Sequence, residues 1–344
     1  GRVYVLDYDR DAAADTLRCL SLATGEQIWQ YSYPVEVKRN HGMSRTVPTV
    51  ANGVVITLGP KCHVSAVDAT TGEYRWSMDL VGQFGTTVPE WYAGQCPLVD
   101  GERVILAPGG PDALLLAADL QTGEVLWKTP NPMRWKMTHT SIARMRFADR
   151  DMFVYAATGG VVGVDARTGE LLWQTDAWRI PIAAVATPID CGRGRLLLSG
   201  GYNAGAMMLQ LRQRGEGLVA EVAYELKPRV FGAAQQTPIL VEDHLFGVRP
   251  NGEMVCLTLG GEVRWASGRD HRFGLGAYGV IGRWLVALDD EGLMTVAPLS
   301  TQGWHPIARH DVLDGHDAWA PIAVAGTRMI VRDFRTMRCL SLAP

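Results

Sequence analysis

The chain has 344 residues, 47% of them hydrophobic and 20% charged, and its formal net charge is -3. A near-neutral balance lacks the basic footprint that a phosphate backbone demands, which argues against nucleic acid as the main partner. No apolar run approaches the roughly 20 residues of a membrane-spanning helix, so no transmembrane segment is expected and the composition fits a globular protein.

Strand-like alternation begins at once. Residues 2–7 (RVYVLD) read as a strand, and 17–29 (LRCLSLATGEQIW) as a second strand, a tight glycine turn and a third strand carrying Trp29. The pattern returns at 64–76 (VSAVDATTGEYRW), 114–127 (LLLAADLQTGEVLW) and 161–173 (VVGVDARTGELLW), and in shorter form at 254–265 (MVCLTLGGEVRW). The turn glycines Gly25, Gly72, Gly123, Gly169 and Gly261 are 47, 51, 46 and then 92 residues apart, the last gap holding a worn copy near Gly215. Spacing in the forties with strand-like units is the mark of a radially repeated all-β fold, a β-propeller of four-stranded antiparallel blades.

Each full unit parses into four strands, A to D; in the second unit these are 46–51, 54–58, 64–69 and 74–80. Pro48, Pro97, Pro188, Pro238 and Pro321 fall near the start of strand A, where a residue without an N–H is tolerated at a free edge. The first unit begins at strand B, and the last runs through A (320–325), B (328–333) and C (338–342) without D. The expectation is a single domain over 1–344 with eight blades, the first and last incomplete, and an upstream segment of about 30 residues completing the ring. Unit five (185–226) has RQRGEGLVAEVAY in place of the turn and no tryptophan there, while unit seven (276–310) carries Trp304 only loosely in place. Both are expected to be blades, because their neighbours need packing partners.

The repeat explains most of its own residues. Turn glycine supplies a positive φ, Asp68, Asp119 and Asp165 are placed to bond turn N–H groups, and the tryptophan offers an apolar body with one N–H donor. Cys19, Cys256 and Cys339 occupy a small-residue site that holds Ala66, Ala117 and Gly163 in other copies, so buried free thiols are expected; Cys62, Cys96 and Cys191 show no metal spacing.

The run Ala66-Val67-Asp68-Ala69-Thr70-Thr71-Gly72-Glu73-Tyr74-Arg75-Trp76 resembles the tryptophan-docking motif of the PQQ-like propeller repeat family, which includes quinoprotein dehydrogenases and the outer-membrane assembly lipoprotein BamB. The likeness covers essentially the whole chain. It implies a periplasmic or secreted bacterial protein, but the motif belongs to the scaffold and leaves function to other residues.

Those residues gather in the D-to-A loops, which in a propeller emerge on one face around the channel mouth. In order they carry Lys38, Arg39, His41 and Arg45; Trp91 and Tyr92; Arg134, Trp135, Lys136 and His139; Trp178 and Arg179; Arg229, Phe231 and Gln235; Arg269, His271 and Arg272; then His310, His316 and Trp319. Arg45, Trp91, Arg134, Trp135, His139, Trp178, Arg229, Gln235, His271 and Trp319 form the candidate ligand-binding set, suited to a small anionic or glycan ligand or to a protein partner. The alternative is that the rings merely cover the mouth while arginine solvates the surface.

Sharper motifs find little support. Gly274-Leu275-Gly276-Ala277-Tyr278-Gly279 matches GxGxxG but is followed by strand alternation, leaving no helix N-terminus for a pyrophosphate. Asp7, Asp9 and Asp11 begin like a calcium loop but Ala12 stands where glycine belongs, so a hairpin tip is the better reading. Cys96 and His139, near the starts of adjacent A strands, could meet as a thiol pair. The resemblance makes PQQ with calcium the alternative cofactor, in an alcohol or sugar oxidoreductase. This chain has no Cys-Cys pair, and its inner loops hold only scattered carboxylates (Glu90, Asp270, Asp311, Asp314, Asp317). The leading expectation is therefore a non-catalytic binding scaffold with no cofactor and no metal, and a third reading is the sensor domain of a larger chain.

Overall fold

A computed structural model describes residues 1–38 and 40–342; Arg39 lies outside the described residues. The fold is an eight-bladed β-propeller: six sheets have four antiparallel strands, and the first and last have three. Blade one is β1 (Arg2–Asp9), β2 (Ala14–Ser21) and β3 (Gln27–Pro34). Blade two is β4 (Thr49–Ala51), β5 (Val54–Leu58), β6 (His63–Asp68) and β7 (Tyr74–Asp79), followed by a short helix, α1 (Leu80–Phe84), that the repeat pattern does not signal. The α1 helix starts where the Asp79 side chain accepts from the Val81 N–H, and ends at Gly85 with φ 69°. Blade eight is made of Ala323–Ala325, Arg328–Arg332 and Met337–Ser341.

The chain divides into two compact units, one of Gly1–Leu196 with Leu209–Val222, the other of Leu197–Met208 with the residues from Ala223 onward. In the first unit the core lies between successive blades. Val54, Ile56, Leu58, Val64 and Ala66 of blade two are fully buried against Val104, Leu106, Leu116 and Ala118 of blade three. In the second unit Phe246, Val248, Met254 and Cys256 pack against Leu285 and Ala287 in the same manner.

Turn chemistry sets the hairpins. Asp68 Oδ1 accepts from the N–H groups of Thr70 and Thr71 at 2.7 and 2.9 Å, and Asp119 and Asp165 repeat the arrangement. Gly72 needs its φ of 77° for this turn. It has a second task, because a Cβ there would fall 2.6 Å from the Trp29 ring of the preceding blade. Trp76 lies likewise on Gly123 and donates its indole N–H to Leu120 O at 3.0 Å, and Trp127 lies on Gly169.

Blade four breaks the series. Blade five lacks the glycine turn, and the Trp173 ring folds back on its own sheet, donating to Met152 Sδ at 3.2 Å. It lies on Gly163, where a Cβ would sit 2.1 Å from the indole nitrogen; this is why the copy carries glycine where others carry alanine or cysteine. In every complete copy that small residue faces the tryptophan across the strand pair: Cys19–Trp29, Ala66–Trp76, Ala117–Trp127, Gly163–Trp173 and Cys256–Trp265. Tyr224 takes the missing position in unit five, donating its hydroxyl to Leu259 O at 3.0 Å. Trp304 of unit seven packs on Trp265 with ring centroids 5.8 Å apart.

Cysteine placement needs one correction. Cys19 and Cys256 are fully buried, but Cys339 is exposed, because among the described residues its sheet has no fourth strand to cover it. An unforeseen clamp also joins blades of the first unit. The arginine opening strand B reaches a backbone carbonyl of the next blade: Arg2 to Ala69, Arg103 to Ala166 and Arg150 to Glu216, at 2.7 to 2.9 Å.

Candidate functional site

The inner loops of the first unit are tied in series. Val47, Cys96 and Ser141 hold equivalent places just before strand A. The Val47 N–H donates to Cys96 Sγ at 3.3 Å, and the Cys96 N–H donates to Ser141 Oγ at 3.0 Å. Thr49 adds a hydroxyl bond to Pro97 O at 2.7 Å, and the His139 N–H donates to Ala184 O at 3.0 Å. The Tyr92 hydroxyl accepts from the Lys38 N–H at 2.7 Å and donates to Lys38 O at 3.2 Å. Four successive D-to-A loops are thereby fixed to one another before any ligand arrives.

His139 stands at the centre of this platform. Its loop is pinned from below by Thr138, whose N–H donates to the Tyr155 hydroxyl at 2.8 Å and whose own hydroxyl donates to Ala156 O at 2.6 Å. Tyr155 is fully buried, and burial pushes its hydroxyl up to about 12. The His139 ring lies 6.4 Å from the Trp91 ring, and Gly94 leaves it room, since a Cβ there would come within 2.8 Å. Burial, and then the nearby Arg45 guanidinium, depress the imidazole to about 4, while a hydrogen bond to the Tyr92 backbone pulls the other way. Nε2 is buried without a partner, so the Tyr92 bond is made by Nδ1–H and the neutral ring keeps its proton there.

Three of the ten candidates thus come together: Arg45, Trp91 and His139. Arg45 is held by its own loop, Nε donating to Gly42 O at 2.9 Å. Arg134, with φ 53° at the end of a turn closed onto Asn131 O, is exposed, as is Lys136 beside it. Trp135 is a packing residue: its ring covers Gly159 and Gly160, and its backbone is held by the Asn131 side chain at 2.8 and 3.0 Å. Trp178 is buried, and the neighbouring Arg179 pairs with Asp176 at 2.5 Å.

In the second unit, Arg229 is exposed and Gln235 half-buried, while the adjacent Gln236 bonds Gly274 O and Gly276 O at 3.1 and 3.0 Å. His271 packs edge-on against Trp304 at 6.1 Å, and Trp319 donates to Asp290 Oδ1 at 2.7 Å. Both rings serve packing within their own unit. The GxGxxG run leads into the strand Tyr278–Ile281. Arg18 pairs with Asp7 at 3.3 Å and Asp9 at 3.4 Å, so part of the acidic N-terminal hairpin's charge is offset internally.

Cys96 does not act as a thiol partner of His139. Its sulfur is engaged by the Val47 N–H, and burial pushes the thiol up, away from the thiolate a nucleophile requires. Sequence reasoning missed Gln95, Thr138, Thr140 and Tyr155, the polar layer behind the platform; its one signal was the density of hydroxyl residues at 138–141 (THTS) beside a predicted inner strand.

Comparison with known proteins adds three observations. A family model described as outer membrane protein assembly factor BamB matches residues 13–267. The quinoprotein alcohol dehydrogenase PedH of Pseudomonas putida is 26% identical over 177 residues, covering 48% of this chain and 28% of that protein, so the chain spans little more than a quarter of that relative. Among solved structures, BamB from Moraxella catarrhalis superposes with a TM-score of 0.64 at 14% identity, over 98% of this chain and 97% of its own. AztD from Citrobacter koseri gives 0.61 at 10% identity, over 99% and 91%. At such identities the likeness is one of fold.

Proposed function

Because the chain belongs to the family described as outer membrane protein assembly factor BamB, a family of PQQ-like propellers, we propose that it is a non-catalytic scaffold binding a protein partner through the D-to-A loops of its first unit. One observation carries the reading: those loops are cross-tied through Cys96, Ser141 and Tyr92 while Arg134 and Lys136 remain exposed. A platform ordered in advance loses little entropy on docking, and exposed cations at its edge steer an acidic partner. Family membership supports a location in the bacterial envelope, periplasmic or secreted.

A quinone-dependent oxidoreductase is the second reading, favoured by the similarity to PedH. The site does not fit a PQQ–calcium centre. Calcium takes 6–8 oxygen ligands, typically carboxylate-rich, whereas His139 and Arg45 supply nitrogen and a positive charge. The loop carboxylate Glu90 is exposed, and Asp176 is paired with Arg179.

Photocrosslinking tests the scaffold reading. A photoreactive residue at Arg134 should give adducts of discrete mass with proteins of a bacterial envelope extract, and one at Leu171, on an outer strand, should not. Equal labelling from both positions, or none from Arg134, overturns the reading. So would dye reduction with alcohols or sugars by the protein supplied with PQQ and calcium.

A further inference from the structure

Positive charge in the second unit concentrates around blade six, whose strands are Ile239–Val241, His244–Val248, Met254–Thr258 and Val263–Ala266. Three segments face the same end of that sheet: the loop before it (227–231), its inner hairpin turn (249–253) and the loop after it (267–273). Together they hold Lys227, Arg229, Arg249, Arg269 and Arg272 against Glu253 and Asp270, an excess of three positive charges in a chain whose net charge is -3. Glu253 is 5% exposed and already committed, because Arg249 pairs with its Oε2, which also accepts from Asn251 Nδ2 at 2.9 Å.

The three segments are built onto one another. The first closes as a turn in which the Val230 and Phe231 N–H groups donate to Lys227 O at 2.8 and 3.1 Å, leaving Arg229 exposed on it. The Phe231 ring is fully buried against Gly247, where a Cβ would fall 2.8 Å from it. Arg249, on the hairpin turn, donates Nη1 to Arg229 O and Nε to Asn251 Oδ1, both at 3.2 Å. The third segment is held by Ser267, which donates to His271 O at 2.6 Å and accepts from the Met254 N–H at 3.0 Å, and by the Phe273 N–H, which donates to Gly252 O at 2.7 Å. Arg272 is thereby laid over the hairpin turn: a Cβ on Gly252 would sit 3.2 Å from Arg272 Cβ and 3.6 Å from its Cγ. Arg229 and Arg272 are exposed, and neither guanidinium is engaged in an ion pair among the described residues.

We propose that Arg229, Arg249 and Arg272 form a docking cradle for an acidic, extended segment of a protein partner. The guanidinium groups are carried by three separate turns, so their charge is spread rather than focused on one point. An extended chain sets alternate side chains about 7 Å apart, and acidic residues at that spacing offer planar carboxylates to planar guanidinium groups. A phosphate is held instead by convergent donors, chiefly backbone N–H groups. Here those are spent: Val230, Phe231, Gly252, His271 and Phe273 donate to carbonyls of these same segments, and Glu253 donates to Asn251 Oδ1 at 3.1 Å.

The buried acid orders the cradle in advance. The Arg249 bond, and then the Asn251 bond, hold the Glu253 carboxyl below its usual value, with the Arg272 field adding to them. One carboxylate thus orients Arg249 and attracts Arg272 while cancelling a single charge, and loops fixed in this way lose little entropy on docking. The other acids nearby leave the excess in place. Asp270 offsets only its neighbour Arg269, in the turn that the His271 N–H closes onto Gly268 O, and Asp290 is taken up by the Trp319 indole and the Leu275 N–H.

This cradle belongs to the second unit and the platform proposed above to the first, so neither reading needs the other. The probe is a fluorescein-labelled decapeptide of alternating glutamate and serine, titrated with the full chain by fluorescence anisotropy at about 50 mM salt, beside a counterpart with lysine for glutamate. The glutamate peptide should bind and the lysine peptide should not. Arg229→Gln combined with Arg272→Gln should weaken binding about tenfold, since each exposed charge pair is worth a few-fold. Removing the same charge from the first unit, with Arg146→Gln and Arg212→Gln at side chains 67% and 61% exposed, should leave the affinity within about twofold. Thermal midpoints check that each variant is folded, and Arg229→Gln alone, on a turn held by backbone bonds, should still cost about threefold if the double variant is not. No binding of the glutamate peptide, or an equal loss in both double variants, overturns the proposal. So does displacement of the peptide by inorganic phosphate beyond that by chloride at matched ionic strength, which would mark a phosphate site instead.

Discussion

Replacing Gly163 with alanine tests the account of blade four. The new Cβ would lie 2.1 Å from Trp173 Nε1 and 2.4 Å from Cε2, inside contact distance of a ring that is 3% exposed and bonded to Met152. The backbone can accept alanine, because Gly163 is not among the positive-φ positions, so the effect is purely steric. Overpacking of this kind costs about 1–3 kcal/mol, and displacement of a whole indole places Gly163→Ala near 2 kcal/mol. Equilibrium urea unfolding should show the loss as a lower midpoint at constant slope. The clashing atoms Nε1, Cε2 and Cδ1 all disappear when the indole is removed, so Gly163→Ala should be nearly neutral in a Trp173→Ala background, giving a coupling of about the same 2 kcal/mol. A loss below about 0.5 kcal/mol, or the same loss in both backgrounds, would falsify the claim that the ring turned inward for want of a neighbouring glycine.

Other consequences are open to simple measurement. Tyr224→Phe should destabilise by about 0.5–1.5 kcal/mol, because it removes the hydroxyl that reaches Leu259 O while leaving the ring in place. Asp119→Ala should cost about 1 kcal/mol at neutral pH, since two turn N–H groups and the Thr122 hydroxyl lose their acceptor. Those turn bonds hold the Asp119 carboxyl below its usual value, so its contribution should be present above the unfolded carboxylate range and fade as pH falls through the folded one; the difference between wild type and variant should shrink in acid. A thiol reagent added to the native chain should modify Cys339 first, the buried cysteines reacting only after denaturation.

The architecture was legible because each repeat states its geometry in a few residues that have no other use. An Asp four residues before a turn glycine and a Trp four after it are demanded by backbone bonds and a ring contact, so their spacing survives whatever the loops do. The α1 helix escaped because five residues are too few to express a helical period. The candidate site was harder to read. A loop tryptophan that covers a glycine pair, as Trp135 covers Gly159 and Gly160, is identical in sequence to one awaiting a ligand. His271 and Trp319 were drawn into the candidate set for the same reason, although each is consumed by a neighbour. Conversely, nothing in the sequence around Asp15 marks it as buried, and only the fold brings Ser44 and Gly59 against it.

The chain of contacts from Val47 to Cys96 to Ser141 has a bearing on how such a molecule can be lengthened or shortened over evolution. In these two links an inner strand hands a donor to its successor, and blade three both gives and receives, so it behaves as a link with a hook at one end and an eye at the other. The eye is a sulfur at 3.3 Å in one link and an oxygen at 3.0 Å in the next, which makes the gap between first strands a matter of a single atom's radius. A blade duplicated at this place would extend the chain of bonds if it carried Cys, Ser or Thr at that position, and exchanging one for another would adjust the spacing of the inner loops by tenths of an ångström while leaving the sheets unchanged.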